Sequence, residues 1–173
     1  MYNPRDRKPG DAVQPRHQID ELDVRILELL RSEPRIGVLE LSRRLGVARG
    51  TAQARIDKMT RDGLIVGFGP DLDLSALGFV VTAFVTIEVV QGRLSDVVEP
   101  LSDIPEVTEV HTIAGRGDMV IKVEARSNEH LMAVLERILA IDDVARTSTA
   151  IALANPLPER SMPLVRSAAA VRE

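Results

Sequence analysis

The chain divides into two regions with different hydrophobic periodicity, and this difference constrains its fold more than any other feature. Between residues 19 and 62 the apolar residues recur at helical spacing, whereas between residues 79 and 153 β-branched segments alternate with helical ones. The second block predicts the order β-α-β-β-α-β, which is the split βαβ arrangement of ferredoxin-like domains. We therefore expect an α+β protein in which a helical unit precedes a ferredoxin-like unit.

The helical block contains two helices joined by a glycine, an arrangement typical of helix-turn-helix proteins. Apolar spacing, together with Pro34 and Gly63 as breakers, predicts helices over residues 20–32, 38–45 and 49–62. Gly46 separates the second helix from the third, and a DNA-binding motif of this kind lays its second helix in the major groove. The following residues, 64–68, have strand composition and are predicted to form a wing.

The third helix lies in a basic segment of an acidic chain. The net charge is −4, yet between residues 43 and 61 the only acidic residue is Asp57. Gln53 and Arg55 have side chains that can read base edges, while the other cations can neutralise phosphates. The predicted DNA contacts are Arg43, Arg44, Arg49, Thr51, Gln53, Arg55, Lys58 and Arg61. A solvated helix face in an ordinary three-helix bundle is the alternative interpretation of the same pattern.

The sequence divides into five segments. We expect a flexible arm over 1–18, the helix-turn-helix domain over 19–70, a linker over 71–77, the βαββαβ domain over 78–155 and a tail over 156–173. Within the βαββαβ domain, strands are predicted over 79–90, 107–113, 119–125 and 144–153, with helices over 93–101 and 128–139. A short helix near residues 164–171 is possible in the tail.

Five short runs resemble the Lrp/AsnC family of transcriptional regulators. Residues 19–27 (IDELDVRIL) resemble its opening helix, and residues 39–47 (LELSRRLGV) resemble its second helix and turn. Arg55-Ile56 and residues 62–68 (DGLIVGF) resemble the recognition helix and the exit to the wing. Residues 114–118 (AGRGD) resemble the Gly-x-x-Asp turn of the sensing domain. The resemblance spans residues 19–155.

This resemblance implies a winged helix-turn-helix domain and a RAM-type domain that assembles into dimers or larger oligomers such as an octamer. The RAM domain of the family binds small effectors, typically amino acids, between subunits. Carried over to this chain, the resemblance implies effector contacts at Thr112, Gly115, Arg116, Gly117, Asp118, Met119, Ser148, Thr149 and Ala150. Two positions depart from the family pattern: Met119 stands where an aromatic residue is common, and Ala48 replaces the helix-start serine.

The glycine turn also has a physical interpretation of its own. Asp118 can pair with an ammonium group, and Arg116 or backbone N–H groups can hold a carboxylate, so the turn suits a zwitterion. The alternative is a plain hairpin turn, in which glycine and aspartate serve only the backbone geometry.

Composition excludes several classes of function. The chain has no cysteine, which rules out disulfides, thiolate zinc sites and a thiol nucleophile, and it has only four aromatic residues, which disfavours a base-stacking site. No apolar run reaches the roughly 18 residues of a membrane span. No catalytic, metal or cofactor motif is visible. Together with the family resemblance, which implies duplex DNA and an amino acid as partners, this leads us to expect a cytoplasmic, non-enzymatic regulator. The alternatives are a ligand-sensing oligomeric module without DNA binding and a small enzyme on a ferredoxin-like scaffold.

Overall fold

The computed structural model describes residues 17–90 and 93–170. Most of the predicted N-terminal arm, and the end of the tail, lie outside these residues. The chain divides into two compact units, one formed by residues 17–71 with 158–170 and the other by residues 72–157. No helix in the described part of the chain is both long and apolar enough to cross a bilayer.

The first unit is a helical bundle whose first three helices match the predicted ones. Its helices are α1 (Glu21–Ser32), α2 (Val38–Leu45), α3 (Arg49–Arg61) and α6 (Met162–Ala170). Asp20 caps α1 because its carboxylate accepts a hydrogen bond from the Asp23 N–H, and the Asp23 carboxylate in turn accepts one from the Asp20 N–H. Gly46 ends α2 in the left-handed conformation at φ +70°. The buried core consists of Ile26, Leu41, Leu45, Ala52, Ile56 and Met59.

The strand predicted over residues 64–68 is not formed, so this prediction was wrong. The N–H groups of Leu64 and Ile65 both donate to the carbonyl of Met59, which ends α3 and directs these two residues into a turn. Residues 66–70 have no regular secondary structure. A strand needs a neighbouring strand to accept its hydrogen bonds, and the described part of the chain offers none to this segment.

The second unit has the predicted βαββαβ order. Its elements are β1 (Val81–Val89), α4 (Leu94–Ser102), β2 (Val107–Thr112), β3 (Met119–Ala125), α5 (Asn128–Leu139) and β4 (Val144–Ile151). The sheet is antiparallel with the strand order β2-β3-β1-β4. A short 3₁₀ helix, Leu74–Leu77, lies inside the segment that was predicted to be a linker.

One face of this sheet packs against both helices, and the other is left uncovered by them. The covered face buries alternate residues of the two central strands, such as Val85 and Ile121, against α4 and α5. The opposite face of β1 carries Thr82, Phe84 and Thr86, and Phe84 is 46% exposed. Burial of an exposed aromatic side chain on a sheet face is favourable, so such a face is a site for further packing.

The C-terminal helix α6 returns to the first unit and packs on α1. Arg166 forms an ion pair with Glu28 at 2.6 Å, and the Arg31 guanidinium donates to the Ser161 hydroxyl at 3.3 Å. Met162, Val165 and Ala169, spaced as one helical face, are half-buried. The sequence indicated a helix here but not its partner, because the partner lies more than 130 residues away.

The turn between β2 and β3 requires glycine at position 117. Gly117 has φ +81°, and a Cβ atom there would lie 2.4 Å from the Thr86 Cγ2 and 3.1 Å from the Ile87 carbonyl oxygen. Gly78 offers a matched comparison, since it has φ +86° but nothing within 4 Å of a Cβ.

We therefore predict that Gly117→Ala destabilises the second unit more than Gly78→Ala. The control should lose about 1–2 kcal/mol from the left-handed backbone alone. Gly117→Ala should lose about 3 kcal/mol, because the steric contact adds to the backbone strain. Denaturant unfolding of the two variants measures the difference, and equal losses would contradict the steric argument.

Candidate DNA-binding and effector sites

Four of the predicted DNA contacts are exposed side chains without an internal partner. Arg49, Thr51 and Arg61 lie on α3, and Arg43 lies on α2. Within residues 17–90 and 93–170, none of these four side chains takes part in an ion pair or a hydrogen bond. Exposed, uncompensated cations are the groups that can exchange water and counterions for DNA phosphates.

Two other predicted contacts are exposed but partnered within the first unit. Arg44 donates to Glu33 and also to Glu40 at 3.0 Å, and its hydrogen bond to Glu33 is the main reason that the pKa of Arg44 is raised. The amide of Gln53 donates to the Asp57 carboxylate, one turn further along α3, at 2.8 Å. Both side chains must give up these bonds before they can contact DNA.

Arg55 is bound to α1 and does not project freely from α3. Its Nη1 donates to the Asp20 carboxylate at 2.5 Å and to both carboxylate oxygens of Asp23 at 3.3 Å. Asp23 is fully buried. The hydrogen bond to Asp20 is the main reason that the pKa of Arg55 is raised. Burial alone would raise the pKa of Asp20, but the Asp23 N–H and Arg55 outweigh it, and the pKa is lowered.

Lys58 belongs to a second polar cluster, which links α1 to the C-terminal end of α3. His17 lies between two carboxylates, with Nδ1 at 2.7 Å from Asp62 and Nε2 at 3.3 Å from Asp23. Lys58 donates to Asp62 at 2.9 Å, and its Nζ lies 3.4 Å from the His17 Nδ1. The hydrogen bond from Lys58, followed by that from His17, lowers the pKa of Asp62.

Sequence reasoning did not single out His17, Asp20, Asp23 and Asp62 as a network. One signal was present, because Ile19, Asp23 and Ile26 follow the spacing of the buried stripe of α1 and all three are buried. A carboxylate in such a stripe needs a cation nearby. The spacing does not show which cation supplies it.

Strand register divides the predicted effector residues between the two sheet faces. Ser148 and Ala150 lie opposite Thr86 and Phe84, on the uncovered face. Thr149 lies opposite Val85, on the face that packs against the helices. Thr112 also lies on that face, opposite Met119.

The side chain of Met119 is fully buried in the core of the second unit. It is therefore engaged in packing against its core neighbours and not open to a ligand.

Asp118 holds the turn against the end of β1. Its carboxylate Oδ2 accepts the Val89 N–H at 2.9 Å, and its own N–H donates to the Ile87 carbonyl at 2.9 Å. Gly117 lies directly beside Thr86, which in turn faces Ser148 across the strand pair. The structure thus brings Gly117, Asp118 and Ser148 together around Thr86, a residue that the sequence analysis did not identify. Gly115 and Arg116 complete the same turn, and all these effector contacts remain predictions.

Both units match known domain families. Residues 19–66 match the family model described as winged helix-turn-helix DNA-binding, and residues 82–162 match that of the Lrp/AsnC ligand binding domain. A helix-turn-helix unit joined to such a ligand-binding unit defines a class of DNA-binding transcriptional regulators, not of enzymes.

Individual relatives agree with the family models over most of the chain. The HTH-type transcriptional regulator FL11 of Pyrococcus horikoshii is 32% identical over 146 residues, which cover 84% of this chain and 97% of that protein. The structure of Escherichia coli AsnC superposes with a TM-score of 0.80 at 34% identity, covering 85% of this chain and 100% of AsnC. The feast or famine regulatory protein from M. tuberculosis, solved with L-methionine, has a TM-score of 0.73 at 26% identity and covers 82% and 97%. The chain belongs to the Lrp/AsnC family of transcriptional regulators, as its motifs predicted.

The lowered pKa of Asp62 predicts how the first unit loses stability in acid. A carboxyl group whose folded pKa lies below its ordinary value of 3.8 stabilises the fold fully above that value, and the stabilisation is lost as the pH falls through the lower folded pKa. Asp62→Asn should therefore flatten the acid limb of a thermal-stability profile below about pH 4. Lys58→Gln removes the main cause of the lowered pKa and should flatten the same limb in part, because His17 still lowers the folded pKa of Asp62. An unchanged acid limb in both variants would contradict this role of Asp62.

Proposed function

We propose that the first unit binds duplex DNA in a sequence-specific manner by placing α3 in the major groove. The observation that carries the proposal is the set of exposed, internally unpaired cations on α2 and α3, namely Arg43, Arg49 and Arg61. The match of residues 19–66 to DNA-binding winged helix-turn-helix domains supports it. The chain as a whole is acidic, with a net charge of −4, so its other surfaces repel DNA and favour this one.

We also propose that the protein acts as a homodimer or a larger homo-oligomer built on the second unit. The uncovered sheet face, with Phe84 46% exposed at its centre, is the surface that supports this proposal. Helix-turn-helix dimers bind pseudo-palindromic sites whose half-sites lie one helical turn, or a multiple, apart. A second copy thus gives two recognition helices at a fixed spacing.

Selection of genomic fragments by the protein, followed by anisotropy titrations across a salt series, tests DNA binding. We expect the selected fragment to bind at least about 10³ times more tightly than random duplex, because base contacts add to phosphate contacts. The logarithm of the affinity should fall linearly with the logarithm of salt concentration, by about 0.9 for each phosphate contact. Light scattering on the same complexes counts the copies bound. A flat salt dependence would leave the ligand-sensing module without DNA binding as the better interpretation.

The effector that we propose is a free amino acid bound at the turn of residues 115–118. The relative from M. tuberculosis that is solved with L-methionine supports this ligand class. The turn offers complementary groups to a zwitterion, with the Asp118 carboxylate for an ammonium group and the exposed Arg116 for a carboxylate. The neighbouring Ser148 can donate a hydrogen bond from the uncovered face.

Asp118→Asn should abolish the effector response while preserving the fold. The amide oxygen of asparagine can still accept the Val89 N–H, but its neutral amide lacks the charge that an ammonium group needs. In a thermal-shift screen of the amino acids, beginning with L-methionine, the unaltered protein should be stabilised by the effector through mass action. Asp142→Asn removes an equal charge from an exposed turn and should respond like the unaltered protein. A full shift in Asp118→Asn would place the effector elsewhere.

A further inference from the structure

We infer that Arg55 is a positioning residue for DNA recognition, which acts through the carboxylates of α1 and makes no phosphate contact of its own. This inference rests on the proposed DNA binding and concerns how α3 is aligned for it. It revises the expectation from the sequence, which placed Arg55 among the groups that read base edges.

The position of Arg55 on α3 is the first argument. Arg55 follows the buried Ala52 by three residues and precedes the buried Met59 by four, so it lies along the edge of the core-facing stripe. Gly50, Ala54 and Arg61 are spaced by four and seven residues on a different side of the helix, and all three are exposed. Arg55 is half-buried and therefore lies between the core-facing stripe and the fully exposed side of α3.

The partners of Arg55 are the second argument. Its Nη1 bridges the cap residue of α1, Asp20, and the fully buried Asp23. If Arg55 turned toward a phosphate, Asp23 would lose a cation in a place that water does not reach, and such a loss is more costly than that of a surface pair. A phosphate contact by Arg55 is therefore unfavourable, because it leaves the buried Asp23 carboxylate without this cation.

The contacts of His17 are the third argument. His17 contacts Asp23 on α1 and Asp62 immediately after α3, and Lys58 closes the contact through Asp62. Arg55 and Asp62 lie two turns apart, so α1 holds α3 at two levels. Two separated contacts fix the direction of a helix as well as its position, and that direction decides whether its exposed side fits a groove.

Salt dependence distinguishes a positioning residue from a phosphate contact. Arg55→Gln should weaken binding to the selected fragment by about tenfold, with the salt slope unchanged. Arg61→Gln, the comparison on the exposed side of the same helix, should reduce the slope by about 0.9. Circular dichroism and thermal unfolding establish that each variant is folded at the assay temperature.

Asp20→Asn gives a second test with opposite expected signs. If Arg55 bound phosphate, releasing it from Asp20 would strengthen DNA binding, whereas a positioning role requires that binding weaken. Glu21→Gln removes the same charge at the next, exposed position, which has no bond to Arg55, and corrects for the general effect of charge. The double variant Arg55→Gln/Asp20→Asn should bind no more weakly than Arg55→Gln alone, since both changes break one contact.

The outcomes separate the inference from the function on which it rests. Loss of affinity at a constant slope in Arg55→Gln, with Asp20→Asn weaker than Glu21→Gln, supports the positioning role. A slope reduced by about 0.9 in Arg55→Gln, or Asp20→Asn tighter than Glu21→Gln, overturns it. Failure of the unaltered protein to bind any duplex with a salt-dependent affinity would instead reject the proposed function.

Discussion

The buried carboxylate of Asp23 is the constraint on which the geometry of the first unit depends. Removing a carboxylate from water costs several kcal/mol unless cations and hydrogen bonds replace its hydration, so the fold must supply partners at this one point. The partners come from three places: the backbone N–H of Asp20, the guanidinium of Arg55 on α3 and the ring of His17. The packing of α1 against α3 brings these partners together, so polar contacts add to the apolar core in fixing how the two helices pack.

The helices and the sheet could be predicted because each has a periodic pattern that is complete within its own segment. The wing strand over residues 64–68 could not be judged in this way, because strand composition says nothing of whether a neighbouring strand exists. The role of Arg55 was missed for a related reason. Counting cations along α3 treats each as solvated, whereas the electrostatic environment of Arg55 is set by Asp20 and Asp23, more than thirty residues earlier.

The effector turn shows that a backbone role and a ligand role are compatible in the same residues. Gly117 is required because its Cβ would meet Thr86, and Asp118 holds the Val89 N–H, so both have structural reasons to be present. A turn fixed in this way presents its remaining polar groups in a constant geometry, which lowers the entropy that a ligand must lose on binding. The sequence could predict the turn, but the pairing of Ser148 with Thr86 emerges only from the strand register.

The return of α6 to α1 makes the second unit an insertion within the first. Residues 17 and 170, the two ends of the described chain, both belong to the helical unit. On the ribosome, where synthesis runs from the N-terminus, residues 72–157 are complete before α6 is made. A newly translated copy therefore contains α1–α3 and the complete sheet before it gains α6, the helix that packs on α1.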